Sequence, residues 1–306
     1  MQAYFFMNFF YNLRDEQKGR FITLIGVMIL SFDTLLVRLI NCDEWTLIFW
    51  RGFLPGVVLF TVQWVMDPSV IRQHLFRLSP LNLITSILFS ASTICFVFSL
   101  DHTQVASTLV ITNTAPLLTA ILGYFFLKEK LQKSTLIAIA IAVGGIWLVF
   151  GFKPSASEIE GDSLALVSAL SMSVYLVTLR KTKGQYGSIF LIQAAVLTSI
   201  ISLAAGAHPL SLDTHQNIYI FFLGGIVIPF SFLLIAKGPK YLPAAETSLI
   251  LLLEVLFGPL LVWLIVGEAP TLNVAIGSAI VLITLATLTI WQWRQEMKSY
   301  LNSDKL

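Results

Sequence analysis

Five charged residues stand inside long apolar runs of this chain: Asp33, Arg38, Arg51, Glu246 and Glu254. An ionised group in hydrocarbon is costly, so such residues face a bundle interior and mark paths for substrates or protons. Glu254 lies about halfway along its run, five residues before Pro259. A proline at 259 has no N–H to offer the carbonyl of Val255, which predicts a bent backbone with a free acceptor beside a carboxylate. Asp33 and Arg51 sit at comparable depth in the first two runs, where an ion pair is expected. Two readings of that pair stand together: a fixed bridge between helices, or an Asp that exchanges between Arg51, a proton and a substrate, with Arg51 as an anion contact. Arg38 and Glu246 lie near run ends and can snorkel to the interface.

Hydroxyl and amide groups repeat at helical spacing around these charges. Thr108, Thr112, Ala115 and Thr119 follow i, i+4, i+7, i+11, a largely polar stripe on one helix face, with Asn113 beside it. Ser86, Ser90 and Thr93 form a second stripe; Ser168, Ser171, Tyr175 and Thr178 form a third. A single hydroxyl in an apolar helix commonly bonds only its own backbone, but a continuous stripe defines a face. The candidate substrate or coupling set is therefore Glu254, Asp33, Thr112, Asn113, Ser90, Ser171 and Tyr175. Helix breaks are expected at Pro116, at Pro229 (after Gly224 and Gly225) and at Pro259.

Other chemistries lack their residues. All four histidines, at 74, 102, 208 and 215, fall in predicted loops, so neither a metal site nor a histidine relay is expected. No Walker loop, GxSxG nucleophile motif or TVGYG filter is present. The reading is of a chain that is not an enzyme and carries no cofactor.

The elements that must position these groups are membrane helices. Mean hydropathy is +0.83, with 57% hydrophobic and only 12% charged residues, which excludes an ordinary soluble domain. Ten apolar runs, each about as long as a bilayer is thick, fall roughly at 21–40, 46–66, 81–100, 104–127, 134–151, 163–180, 187–206, 217–236, 243–266 and 272–292. With both termini cytoplasmic, sixteen Lys and Arg residues between Arg14 and Lys305 gather on one side. The other side carries Asp43, Glu44, Asp101, Glu158, Glu160, Asp162, Asp213 and Glu268. The positive-inside rule then fixes orientation in a bacterial inner membrane. These cations are topology signals rather than a nucleic-acid patch. The N-terminal stretch has no cleavable-signal pattern and reads as interfacial, and Cys42 and Cys95 make no disulfide framework.

The runs also repeat. STLVITNTAPLLTAILGYFFLKEKL from Ser107 is echoed by ETSLILLLEVLFGPLLVWLIVGEAP from Glu246, with Thr108 meeting Thr247, Leu117 meeting Leu256 and Glu129 meeting Glu268. On that offset Glu254 takes the place of Ala115 on the shared face and should stand opposite Thr112 and Asn113. Five helices separate equivalent points, and five is odd, so the copies must be antiparallel. The predicted organisation is a cytoplasmic segment (1–20), a first repeat (21–151), an extracytoplasmic linker (152–162), a second repeat (163–292) and a cytoplasmic tail (293–306). The fold expected is an all-α integral membrane protein of ten helices in two inverted repeats around a central cavity.

The run TAPLLTAILGYFFLKEKL, its echo ending in VGE at Glu268, and the WRG at Arg51 resemble the EamA-type drug/metabolite transporters over residues 20–292. The resemblance implies two five-helix repeats, a cavity lined by helices 1, 3, 4, 6 and 9, and a Glu at the place of Glu254. It also implies a structural Arg at the place of Arg51. Asp33, within SFDTLLVRL, departs from the usual pattern. The expected activity is export of a small polar or amphipathic metabolite, such as an amino acid or amine, by alternating access with proton coupling. The alternatives are an obligate exchanger of charged metabolites and a lipid flippase. Partners are then a small molecule, the lipid bilayer and protons, with no nucleic acid. A monomer or weak homodimer suffices, because one chain holds both halves.

Overall fold

A computed structural model of the chain describes residues 15–75, 79–128, 133–150, 155–181, 187–237 and 244–303. No strand occurs among the described residues. The first apolar run holds two helices, α1 (Asp15–Leu30) and α2 (Phe32–Ile40), meeting at Ser31. This break was not expected. Its cause is local: the Ser31 hydroxyl donates to the Val27 carbonyl at 2.9 Å, the back-bonding that bends helices. Then come α3 (Glu44–Met66), the short α4 (Pro68–His74) and α5 (Pro80–His102). The fourth run splits into α6 (Val105–Thr112) and α7 (Ala115–Leu127). Pro116 lies just past the split and cannot donate to the Thr112 carbonyl.

α8 (Lys133–Phe150), α9 (Ala156–Lys181) and α10 (Gly187–Ala204) follow. The expected linker over 152–162 is thus shorter than predicted, because α9 already starts at Ala156. A capping box starts it: Glu158 N–H donates to Ser155 Oγ at 3.2 Å, and Ser155 N–H to the Glu158 carboxylate at 2.8 Å. The eighth run contains α11 (Thr214–Ile220), a π-helical turn over Phe221–Val227, and α12 (Ile228–Lys237). α13 (Ala244–Val266) and α14 (Leu272–Ser303) complete the chain, the latter extending into the expected tail.

Seven helical stretches among the described residues are long and apolar enough to cross a membrane: Gln17–Ile40, Glu44–Met66, Pro80–His102, Val105–Leu127, Ala156–Thr178, Thr214–Ile235 and Leu272–Trp291. Three shorter apolar helices are Lys133–Val149, Ile189–Ala204 and Ile250–Val266. Polarity is distributed as in a membrane protein. Phe125, Phe126, Trp147, Leu264 and Ile283 are exposed, while Thr23, Thr85, Ser90, Ser99, Thr108, Ser173 and Ser202 are buried. Helices satisfy their own backbone groups, so an apolar exterior of this kind fits an integral membrane protein.

Packing joins early helices to late ones. α9 lies on α5, α12 on α1, α10 on α3, and α14 on α8. The α8–α14 crossing is possible only without side chains, since a Cβ on Gly277 would stand 2.6 Å from the Gly145 carbonyl oxygen. Helix ends are tied at both poles. At one, His208 N–H donates to Thr46 Oγ1 at 2.8 Å, Gln216 Nε2 to the Asn41 carbonyl at 3.2 Å, and Thr103 Oγ1 to Asp162 at 2.9 Å. At the other, Gln193 Nε2 donates to the Leu75 carbonyl at 2.7 Å.

Candidate substrate and coupling site

α2 and α3 bring Asp33 and Arg51 into a two-pronged ion pair. Arg51 Nη1 donates to Asp33 Oδ1, and Nη2 to Oδ2 at 3.0 Å. The two side chains are 6% and 9% exposed, so the bond is made in a nearly dry setting. Arg51 also stacks on Phe96 of α5, with Cζ 5.4 Å from the ring centroid, and Arg51 Nε is buried without a partner. The fork geometry matches guanidinium to carboxylate.

Glu254 on α13 lies within electrostatic reach of both Asp33 and Arg51. It is half-buried and makes no side-chain hydrogen bond or ion pair among the described residues. A neutralised pair thus stands beside a lone carboxylate. One turn further along α13, a Cβ on Gly258 would touch Leu109 of α6 at 2.8 Å and Thr34 Oγ1 of α2 at 3.2 Å. α6 leaves, and α13 reaches, the same pole, so they run antiparallel. One turn on from Leu109 therefore lie Thr112 and Asn113, level with Glu254, which is one turn back from Gly258.

Thr112 Oγ1 bonds the Thr108 and Leu109 carbonyls at 2.8 and 3.2 Å, and Asn113 Nδ2 bonds the Leu109 carbonyl at 2.9 Å. Both donors are thereby turned onto their own helix. The Asn113 side-chain oxygen remains as an acceptor. α6 packs against both α9 and α13. From α9, Tyr175 stands edge-on to Phe89 of α5 at 5.0 Å, and Ser171, one turn away, is buried.

The stripe on α5 does not join this site. Ser90 donates to the Ala194 carbonyl of α10 at 3.0 Å, and Ser86 reaches Gln193 at 3.4 Å. That face holds two helices together, because a hydroxyl stripe matches a neighbouring backbone as well as it matches a cavity. Ser168 likewise pairs reciprocally with Ser92, each hydroxyl donating to the other's carbonyl at 2.9 and 3.1 Å.

The three prolines sit in different settings. Pro116 follows the α6–α7 split, Pro259 lies inside a continuous α13, and Pro229 opens α12 directly after the π turn. The close fit of Gly224 on the Trp50 carbonyl, 3.1 Å from a built Cβ, places that turn against α3 next to Arg51. Glu129 and the side chain of Glu246 lie outside the described residues.

Sequence reasoning missed the partner of Arg38. Its Nε stands 2.9 Å from Glu268 Oε2, Nη2 donates to Glu268 Oε1 at 3.3 Å, and Nη2 also donates to the Thr103 carbonyl at 3.1 Å. No periodicity links residues so distant in the chain; the signal available was only their shared predicted side.

Comparison with known proteins gives a consistent picture. The sequence profile of the EamA-like transporter family matches residues 17–151 and 159–290. A protein of Clostridium kluyveri described as an uncharacterized transporter is 25% identical over 245 residues, 76% of this chain and 79% of that one. The S-adenosylmethionine uptake transporter of Rickettsia bellii is 25% identical over 187 residues, 60% of this chain and 64% of that one. A crystal structure that covers 91% of this chain and 98% of its own superposes with a TM-score of 0.65 at 17% identity, which shows a shared fold.

Proposed function

The chain belongs to the EamA-like transporter family, and on that premise we propose that it is a proton-coupled exporter of a small amine-bearing metabolite. Ten helices in two inverted five-helix repeats would rock about a midplane site, with both termini cytoplasmic in a bacterial inner membrane. The packing supports this: α9 on α5 and α12 on α1 exchange under a two-fold that swaps the halves, while α10 on α3 and α14 on α8 map onto themselves. The predicted outer ends gather at one pole through the Thr46–His208, Asn41–Gln216 and Thr103–Asp162 bonds. The Lys and Arg residues of the sequence concentrate toward the other.

The observation that carries the substrate class is Glu254, a carboxylate without a partner among the described residues, beside an Asp33 whose two oxygens are both held by Arg51. Such a site has one negative charge to offer, to an ammonium group or to a proton, and exchange between the two is coupling. Asn113, Ser171 and Tyr175 supply polar and aromatic contacts for the remainder of the substrate. Arg51 as an anion contact would first have to give up Asp33, which weighs against an exchanger of phosphorylated anions. The Rickettsia relative's name speaks for amine-bearing cargo and, in that protein, for inward movement.

A second reading, a lipid flippase, draws support from one feature. A cavity of about 270 Å³ between α6, α13 and α14 is lined by Val110, Leu256, Leu260, Trp263 and Leu282, with Leu256 and Trp263 exposed beside it. A thermal-shift screen in detergent against amines, amino acids, nucleotides and phospholipids separates the readings, because a ligand of the folded state raises the midpoint by mass action. Stabilisation by amines that Glu254→Gln removes is the expected result. Hits among nucleotides alone, or lipids alone, would overturn the amine reading.

A further inference from the structure

At the pole where α2 and α5 end and α6 begins, Glu268 crosses from the second half of the chain to the first. Its carboxylate pairs with Arg38 of α2, Nε to Oε2 at 2.9 Å and Nη2 to Oε1 at 3.3 Å. The same Oε1 accepts the Val105 backbone N–H at 2.9 Å. Val105 is the first residue of α6, so the carboxylate fills one of the helix's orphan donors and meets the positive end of its dipole. Beside it, Thr271 N–H donates to Gln104 Oε1 at 2.9 Å. Each of these bonds joins the α13–α14 connection to first-half elements, and Gln104, Val105 and Glu268 line one recess with Ala106 and Pro259, the proline next to Gly258, which packs on α6 and α2.

The setting differs from that of Asp33 and Arg51. The Arg38 and Glu268 side chains are 21% and 26% exposed, so both can trade partners with water at small cost. A contact that spans the halves, ties together the pole-facing ends of the two helices that flank the site, and is cheap to open has the properties required of a gate.

We propose that Glu268, held by Arg38 and the Val105 N–H, is the extracytoplasmic gating residue of the transport cycle. It latches the α13–α14 connection onto α2 and α6 while the site is closed on that side, and it releases them when the site opens outward. The proposal rests on the alternating-access reading above. Glu268 touches no substrate here; it positions the two halves.

The test uses the full chain with Cys42 and Cys95 replaced by Ser. One reporter, Ala106→Cys, lies behind the latch. A second, Thr119→Cys, lies buried on α7, on the stripe shared with Thr112 and toward the other pole. Each is labelled with a membrane-impermeant maleimide, position 106 from outside and position 119 from inside. Glu268→Gln should raise the labelling rate at 106 about tenfold, the factor set by 1.4 kcal/mol, and leave position 119 unchanged or slower. Arg38→Gln should do the same, and the double variant should add little, because both remove one pair. Unchanged labelling at 106 in both variants overturns the gate, as does a rise at both positions, which signals general loosening. The underlying reading has its own readout: in the parent, reversing a pH gradient should move labelling at 106 and 119 in opposite directions. If that fails while the Glu268→Gln effect persists, alternating access falls and the latch contact stands.

Discussion

Replacing Asp33 by Asn should cost this fold more than replacing Arg51 by Gln, although both break the same pair. The pair is two-pronged and its side chains are only 6% and 9% exposed. Truncating one member of a buried pair typically costs about 3–5 kcal/mol, because the survivor is left charged and unpaired. The survivors differ. Asp33 alone can neutralise by taking up a proton, whereas Arg51 cannot shed one. Arg51 would keep its stacking on Phe96, worth about 1–2 kcal/mol in a dry site, but its Nε is already without a partner. Asp33→Asn should therefore fall at the upper end of that range and Arg51→Gln at the lower. Glu254 is the remaining anion within reach, so Asp33→Asn with Glu254→Gln should cost more than the two single changes summed. Reversible denaturant unfolding in mixed micelles, with the double-mutant cycle, supplies these values. A cost of Asp33→Asn below about 1 kcal/mol would refute the argument, since it would mean that Arg51 is wet or re-paired without penalty.

Gly258→Ala should lower the unfolding midpoint by an amount equivalent to about 1–3 kcal/mol of overpacking, because the new Cβ would press Leu109 at 2.8 Å and Thr34 at 3.2 Å; an unchanged midpoint would contradict the α13–α6 fit. The Cys42 thiol is pushed up from its ordinary 9.0 to about 12, first by burial and then by Asp43. It should label with maleimide roughly a thousandfold more slowly than a free thiol at neutral pH, and faster in Asp43→Asn; labelling at the ordinary rate would refute the burial argument. The Ser92–Ser168 pair should show a coupling of about 0.6 kcal/mol in a double-Ala cycle, and a value several times larger would mean that the α5–α9 seam depends on it.

How much of this was legible beforehand differs by residue. Run length and hydropathy placed the apolar helical stretches, seven of them among the described residues long enough to cross a membrane, because crossing hydrocarbon imposes both. The Asp33–Arg51 pair was legible from depth alone: two opposite charges at one level of a low-dielectric medium have little choice of partner. Ser31 was not, since a back-bonding serine changes neither hydropathy nor periodicity. The start of α9 was written in Ser155 and Glu158 as a capping box, yet read as linker because the segment is polar. Ser90 was assigned to the cavity on the strength of its stripe and lies instead against α10. Spacing fixes which face a residue is on, not what that face meets. Arg38 and Glu268 illustrate the limit most plainly, being joined only by how the halves close on each other.

On the proposed mechanism, Glu254 exchanges a proton for an amine across the membrane. In proteoliposomes of known orientation, a pH gradient acid outside should drive labelled amine outward in the parent. Glu254→Gln should abolish the gradient dependence while the fold and detergent midpoint persist. Transport by Glu254→Gln that still follows the pH gradient would contradict the account.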